Sequence, residues 1–323
     1  MSGDADEAEG GEAEGGEAEE DAAASSEEGR GNARGDSSAT PVAPGLWLVA
    51  TPIGNMGDLS PRAVVTLRAA EAVLCEDTRV TAKLLRRHGL ATPMRALHDH
   101  NEAEEVPRVL DRLRAGGRLA LVSDAGTPLV SDPGYRLVRA AVAEGLPVSA
   151  VPGPNAAVMA LTLSGLAPQP FLFIGFLPPR AAARAAELAR LRAAERAGLS
   201  ATLLLFEAPH RLAECLAALT EVFGDRPAAV ARELTKRFEE VRRGTLPELA
   251  AHYASHAARG EVVVVVGPAV EEAPAGEDEV ASRLRAALAA GQTLRDAAAM
   301  VAAATGLPRR QVYARALELG REG

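Results

Sequence analysis

Apolar residues in this chain gather into short runs separated by polar, periodic stretches, a pattern that begins at Gly45 and repeats five times. The runs at 46–50, 72–75, 94–97, 118–122 and 147–151 have the length of buried strands, and each is followed by a helical pattern with readable ends. Ser60-Pro61 supplies an N-cap and a first-turn proline, and Thr78 caps a helix stopped by Gly89. Asn101 with Glu104 has the form of a capping box, and Asp132-Pro133 opens a helix that ends at Gly145. Strand–helix alternation of this kind predicts a parallel sheet covered on both faces.

After a helix near 154–163 and a turn at Ser164-Gly165, a second alternation starts. Its strands are expected at 171–176, 202–206, 228–232, 240–243 and 261–266, with helices near 181–197, 209–222 and 246–258. The C-terminal part reads as helix–turn–helix: 293–304, a turn at Thr305-Gly306-Leu307, then 308–319. The expected layout is a disordered acidic tail (1–44), an α/β domain (45–163), a second α/β domain (164–269), a linker (270–279) and a small helical domain (280–323).

Five polar loops follow the first five strands: TPIGN at 51–55, EDTR at 76–79, HDHN at 98–101, SDAGTPLVSD at 123–132 and PGPN at 152–155. In a parallel sheet all strand ends share one edge, where open α/β proteins bind ligands. Glycine and proline commonly do no more than punctuate such turns. That reading fails for 123–132, because βα loops usually need only about 2–6 residues. Gly54, Gly126 and Gly153 remove side chains, so main-chain groups can approach a ligand closely. The phosphate-cradling patterns G-x-x-x-x-G-K-[ST] and G-x-G-x-x-G are missing from these loops. Spacing alone therefore points to a small-molecule site on an α/β rim.

Composition alters this picture in four places. The net charge of −9 divides unevenly: residues 1–40 carry 13 acids and 2 bases, leaving a body with 33 bases against 31 acids. A mildly basic body permits a polyanionic partner without demanding one. Only Lys83 and Lys236 are lysines, so every other base is arginine. Cys75 and Cys215 lie in apolar runs without metal-ligand spacing and read as buried thiols in a reducing compartment. No apolar run approaches the roughly 20 residues of a membrane span, and no targeting segment is legible, so no membrane is expected and the cytoplasm is the expected location.

The ordered motifs LVATPIGNMGDLSPRA, CEDTR, LHDHNE, LVSDAGTPLVSDPGYRLV, VPGPNA, FEAPHR and ARELTK resemble those of the bacterial ribosomal RNA small subunit methyltransferase I family, in the tetrapyrrole-methylase-like superfamily. The resemblance runs from Gly45 to about Pro268, more weakly through 295–319, and leaves the acidic tail without a counterpart. It implies two α/β domains of the tetrapyrrole methylase type, the first sheet parallel and the second mixed, plus the helical tail. It implies S-adenosylmethionine in the cleft between them, a homodimer, and 2′-O-methylation of a cytidine ribose in the decoding region of 16S rRNA within the small ribosomal subunit. Cofactor contacts then fall to Pro52, Ile53, Gly54, Asp124, Ala125, Gly126, Thr127, Val130, Gly153 and Pro154, with Ala208 and Pro209 from the second domain. A tetrapyrrole methyltransferase and a non-catalytic ribosome-assembly factor are the competing functions. RELTK, EDTR and the added tail argue against the first, and intact Gly/Pro loops against the second.

A ribose hydroxyl is a poor nucleophile at neutral pH, so a base or nearby cation should help it. Lys236, at the end of the strand in RELTK, is the first candidate, with desolvation expected to lower its pKa; a plain surface lysine is the competing reading. Glu76, Asp77 and Arg79 form the next catalytic group, Arg79 for an RNA phosphate and Asp77 to orient a partner or cap a helix. His98 and His100 lack further ligands, so no metal is expected and Asn101 reads as a cap. Arg211 reads as a phosphate contact or a surface residue. The tail lacks the basic face of a DNA reader and suits RNA docking, with Arg309 and Arg310 as phosphate contacts.

Overall fold

A computed structural model describes residues 42–269, 277–305 and 307–322. The acidic tail at 1–40, most of the expected linker at 270–279 and Gly306 of the expected turn lie outside the described residues.

The first sheet contains β1 (Gly45–Val49), β2 (Ala72–Cys75), β3 (Met94–Ala96), β4 (Arg118–Val122) and β5 (Val148–Val151), in the order β3-β2-β4-β1-β5. Every pairing is parallel, with Leu46 opposite Leu119 on one side and Val148 on the other. Helices α1 (Pro61–Ala69) and α2 (Thr78–Arg87) bury Leu67, Leu84 and Leu85 against Val49, Val73 and Val122 on one face. On the other, α3 (Glu102–Arg114) and α4 (Tyr135–Ala143) bury Val109, Leu113 and Leu137 against Leu46, Leu74 and Leu121. The neighbours β1 and β4 thus feed helices on opposite faces. That switch opens a crevice at their carboxyl ends, where ligands of such sheets bind.

The second sheet is mixed, in the order β6-β7-β10-β8-β9. Strands β6 (Phe171–Phe176) and β7 (Thr202–Glu207) run parallel, whereas β8 (Pro227–Arg232), β9 (Glu240–Thr245) and β10 (Val262–Val266) add antiparallel pairs. Five consecutive valines make β10 the central strand, because a strand covered on both faces needs no polar alternation. Val262, Val264 and Val266 face α6 (Ala181–Arg196), α7 (Leu212–Phe223) and α8 (Leu246–Ser255). Val263 and Val265 pack on α5 (Ala156–Ser164), together with Ile53 from the loop after β1. Burying one valine contributes about 1.5–3 kcal/mol, so this alternation fixes the register strongly.

Several local readings are corrected. Asp77, not Thr78, is the N-cap of α2, its carboxylate accepting from Arg79 N at 2.8 Å. Asn101 stands at the N-cap of α3 but does not cap it. Its side chain instead accepts from His98 N at 2.8 Å and donates to Ala96 O at 2.9 Å, which closes the HDHN loop. Asp132-Pro133 does not open α4, which starts at Tyr135 after Gly134. Gly134 has φ +113°, and a Cβ there would lie 2.6 Å from Leu121 Cδ2. The free amides of α4 are met from another element: buried Glu102 accepts from Arg136 N at 3.1 Å and Leu137 N at 3.3 Å. The stretch after β7 opens as a 3-10 turn at Pro209–Arg211 before α7 begins.

The tail has three helices where two were expected: α9 (Glu277–Ala289), α10 (Leu294–Thr305) and α11 (Arg309–Glu322). They share their own core of Val280, Leu284, Ala298, Val301, Val312 and Ala316. Cys75 and Cys215 are both free and buried. No described helix is long and apolar enough to cross a membrane.

Candidate active site

The loops after β1 and β4 are stitched together at the switch point. Thr51 N donates to Gly126 O at 2.8 Å, and Gly126 N donates back to Thr51 O at 3.1 Å. Thr51 Oγ1 and Ser123 Oγ add bonds to Ser123 O and Gly126 O. The PGPN loop joins through Thr127 Oγ1, which donates to Pro154 O at 3.1 Å and accepts from Asn155 Nδ2 at 3.3 Å. Within this frame Leu129 (φ 73°) and Ser131 (φ 66°) hold left-handed backbone, a strained state that commonly marks functional loops.

The frame surrounds a cavity of about 370 Å³ between the two sheets, within the roughly 300–1,000 Å³ of small-molecule sites. Ile53, Ala125, Val130 and Asp132 supply one wall. Phe206, Ala208 and Pro209 supply the other, with Phe176, Leu234 and Glu261 around them. Five of the residues expected to touch the cofactor, Ile53, Ala125, Val130, Ala208 and Pro209, thus line one space. Pro52, Gly126, Thr127, Gly153 and Pro154 belong to the loops that frame it, and Gly153 presses so close that a Cβ would lie 3.0 Å from Ala50 Cβ.

A second, open hollow is lined by Glu76, Asp77, Arg79, His98, His100 and Asp124. Asp124 Oδ1 accepts from Asp77 N at 3.2 Å, joining the loops after β2 and β4. The Arg79 guanidinium, 2.6 Å from Asp77 and exposed, holds the Asp77 carboxyl down at about 2. Asp77 is therefore a charged clamp on Arg79. Burial pushes Glu76 and Asp124 up, and neighbouring carboxylates add to both shifts. Among the described residues no group of three or more His, Cys, Asp or Glu is placed to hold a metal.

Lys236 does not share that hollow. The RELTK segment leaves β8 at Arg232 and turns sharply, with Glu233 at φ 51° and Thr235 at φ 65°. Its turn docks on the TPIGN loop: Asn55 N donates to Thr235 Oγ1 at 3.0 Å, and a Cβ on Gly54 would collide with Lys236 Cγ. Lys236 Nζ donates to Glu233 at 2.8 Å and Glu261 at 3.0 Å. Desolvation pulls its pKa down, but the two carboxylates outweigh it and the net shift is upward. The expected lowering is thus corrected, because the ammonium is neutralised by partners rather than stranded. Arg211 is neither a surface residue nor free for phosphate: it is mostly buried, paired with Glu207 at 3.2 Å and bonded to Leu177 O at 2.8 Å.

Sequence reasoning missed Asp132, Phe176, Phe206 and Glu261 as cavity residues. Asp132 carried a signal, since it sits in the overlong loop, but its place before Pro133 suggested a cap. The two phenylalanines, 5.6 Å apart between ring centroids, look like ordinary strand residues in one dimension.

The sequence profile of the Tetrapyrrole (Corrin/Porphyrin) Methylases matches residues 45–250, and that of the RsmI C-terminal HTH domain matches 274–320. A ribosomal RNA small subunit methyltransferase I of Mesorhizobium japonicum is 50% identical over 283 residues, covering 87% of this chain and 94% of its own. The chain belongs to this methyltransferase family. The Pseudomonas aeruginosa member is 46% identical over 279 residues, 84% of this chain and 96% of its own. A solved diphthine synthase shares the fold at TM-score 0.53 and 17% identity, covering 69% of this chain and 89% of that one. The family's two α/β layers and helical tail are therefore the parallel sheet, the mixed sheet and α9–α11 described above.

Proposed function

We propose that this protein transfers the methyl group of S-adenosylmethionine to the ribose 2′-oxygen of a cytidine in the decoding region of 16S rRNA. The observation that carries the reading is the cavity between the sheets, in a chain half identical to a ribosomal RNA small subunit methyltransferase I. The residues present fit the donor. Apolar Ile53, Ala125 and Phe206 suit a purine, and the carboxylates suit a cationic sulfur.

When bound, the donor supplies a methyl group on a sulfonium that leaves as a neutral thioether. The protein's part is to place the hydroxyl in line with it, and positioning alone supplies much of the acceleration. The TPIGN, SDAGTP and PGPN loops, through Pro52, Ile53, Gly54, Asp124 to Thr127, Val130, Gly153 and Pro154, hold the donor from one side, and Ala208 and Pro209 close the other. Arg79, fixed by Asp77 and beside Glu76, meets an RNA phosphate. Lys236 stays charged and locks the second layer onto the TPIGN loop.

The tail docks RNA. Arg295, Arg309, Arg310 and Tyr313 surround one open hollow, and two arginines in the first turn of α11 oppose its dipole. An anion there relieves that repulsion. Tyr135 and Val142, exposed and seven residues apart on α4, offer an apolar face to a second copy in a homodimer. Cytoplasmic action follows from the substrate. The test is incubation with methyl-labelled donor and small ribosomal subunits, then nucleoside analysis. The expected product is 2′-O-methylcytidine; label on a porphyrinoid instead, or none transferred, overturns the proposal.

A further inference from the structure

Three carboxylates line the cavity: Asp132, Glu207 and Glu261. Glu207 is buried, paired with Arg211 and bonded to Ala208 N at 2.8 Å. Glu261 is paired with Lys236 at 3.0 Å. Asp132 alone of the three has no cation partner among the described residues. Lys236, the sequence's candidate base, is held as an ammonium and has no lone pair to offer. Resting on the functional reading above, we propose that Asp132 is the catalytic base that takes the proton from the hydroxyl being methylated.

The backbone places Asp132 for this. Gly134 lets the chain turn at φ +113°, and Glu102 caps α4 in trans, so the Asp132 carboxylate is not consumed at the helix start. It faces the cavity from the strained loop. Burial first, then the charges of Glu76 and Asp124, push its pKa up to about 6, against a weaker opposing bond from the Ser123 hydroxyl. The Ser123 proton is also drawn to Gly126 O at 3.0 Å, which limits that opposition. Such a carboxylate is ionised at neutral pH yet more basic than an exposed one, the tuning expected of a general base. The step balances simply. The hydroxyl oxygen forms its bond to the methyl carbon while the carbon–sulfur bond breaks and its electron pair stays on sulfur. Forming the C–O bond makes the O–H acidic, so its proton passes to Asp132 and later to solvent.

The test compares wild type with Asp132→Asn. Turnover on small ribosomal subunits should fall about 100- to 10,000-fold, with S-adenosylhomocysteine affinity by calorimetry essentially unchanged. The acid limb of the wild-type kcat/KM profile, with a midpoint near 6, should disappear in the variant. A third readout needs no turnover. The raised carboxylate costs the folded state stability above its pKa, so Asp132→Asn should melt higher than wild type at pH 7.5. That difference should shrink as pH falls through about 6 towards the ordinary 3.8. Turnover near wild type, an unaltered acid limb, or loss of cofactor binding in step with turnover overturns the assignment alone. Wild-type protein that moves no methyl to ribosomal RNA overturns both readings.

Discussion

Lys236 shows how a residue's partners, not its identity, set its chemistry. It is one of two lysines in an arginine-rich chain, and its position in RELTK makes it look like a nucleophile-activating group. Two carboxylates at 2.8 and 3.0 Å keep it charged. The pair with Glu233 lowers that glutamate's pKa while Lys236 rises, so this junction is strongest between the carboxylate and ammonium ranges. It weakens as pH falls through the lowered Glu233 value and again as pH climbs through the raised Lys236 value. Lys236→Ala should therefore loosen the contact of Thr235 with Asn55 and weaken S-adenosylhomocysteine binding and turnover together. Calorimetry beside initial rates decides this; lost turnover with full affinity would restore Lys236 as the base.

At the scale of elements, the loop from β4 to α4 is held from outside itself. Thr51 pins its start, Thr127 ties its middle to Pro154, and Glu102 caps the helix at its end. Glu102→Ala strands the Arg136 and Leu137 amides, which should cost about 1–3 kcal/mol in chemical denaturation. Because the same helix start positions Asp132, turnover should fall as well; unchanged stability and turnover would refute the trans cap. The strands were legible because their apolar runs report burial directly: β2, β4 and β6 occupy the residues expected of them. Helix starts were less so. The expected caps Asn101 and Asp132 obey local rules that long-range partners override, and no local pattern announces that Glu102 will serve another helix. Helix α9 was not expected: Val280, Leu284 and Ala287 have the spacing of a buried helix face, but the acidic segment before them hid its start.

Over the whole molecule, the two layers meet where the loops after β1 and β4 face the ends of β7 and β10. Ile53 joins the core of the second sheet and Gly54 lies under Lys236, so the TPIGN loop belongs mechanically to both layers. The rim was readable from five loops following five parallel strands. Its opposite wall was not, because Phe176, Phe206 and Glu261 come together only when the second sheet folds over it. The central claim is that the space between the sheets holds the methyl donor. A crystal structure with S-adenosylhomocysteine tests it most directly. Ligand density bounded by Ile53 and Ala125 on one side and Phe206 and Ala208 on the other is the expected result. Density confined to the Glu76–Arg79 hollow, or anywhere outside the cavity, would contradict it.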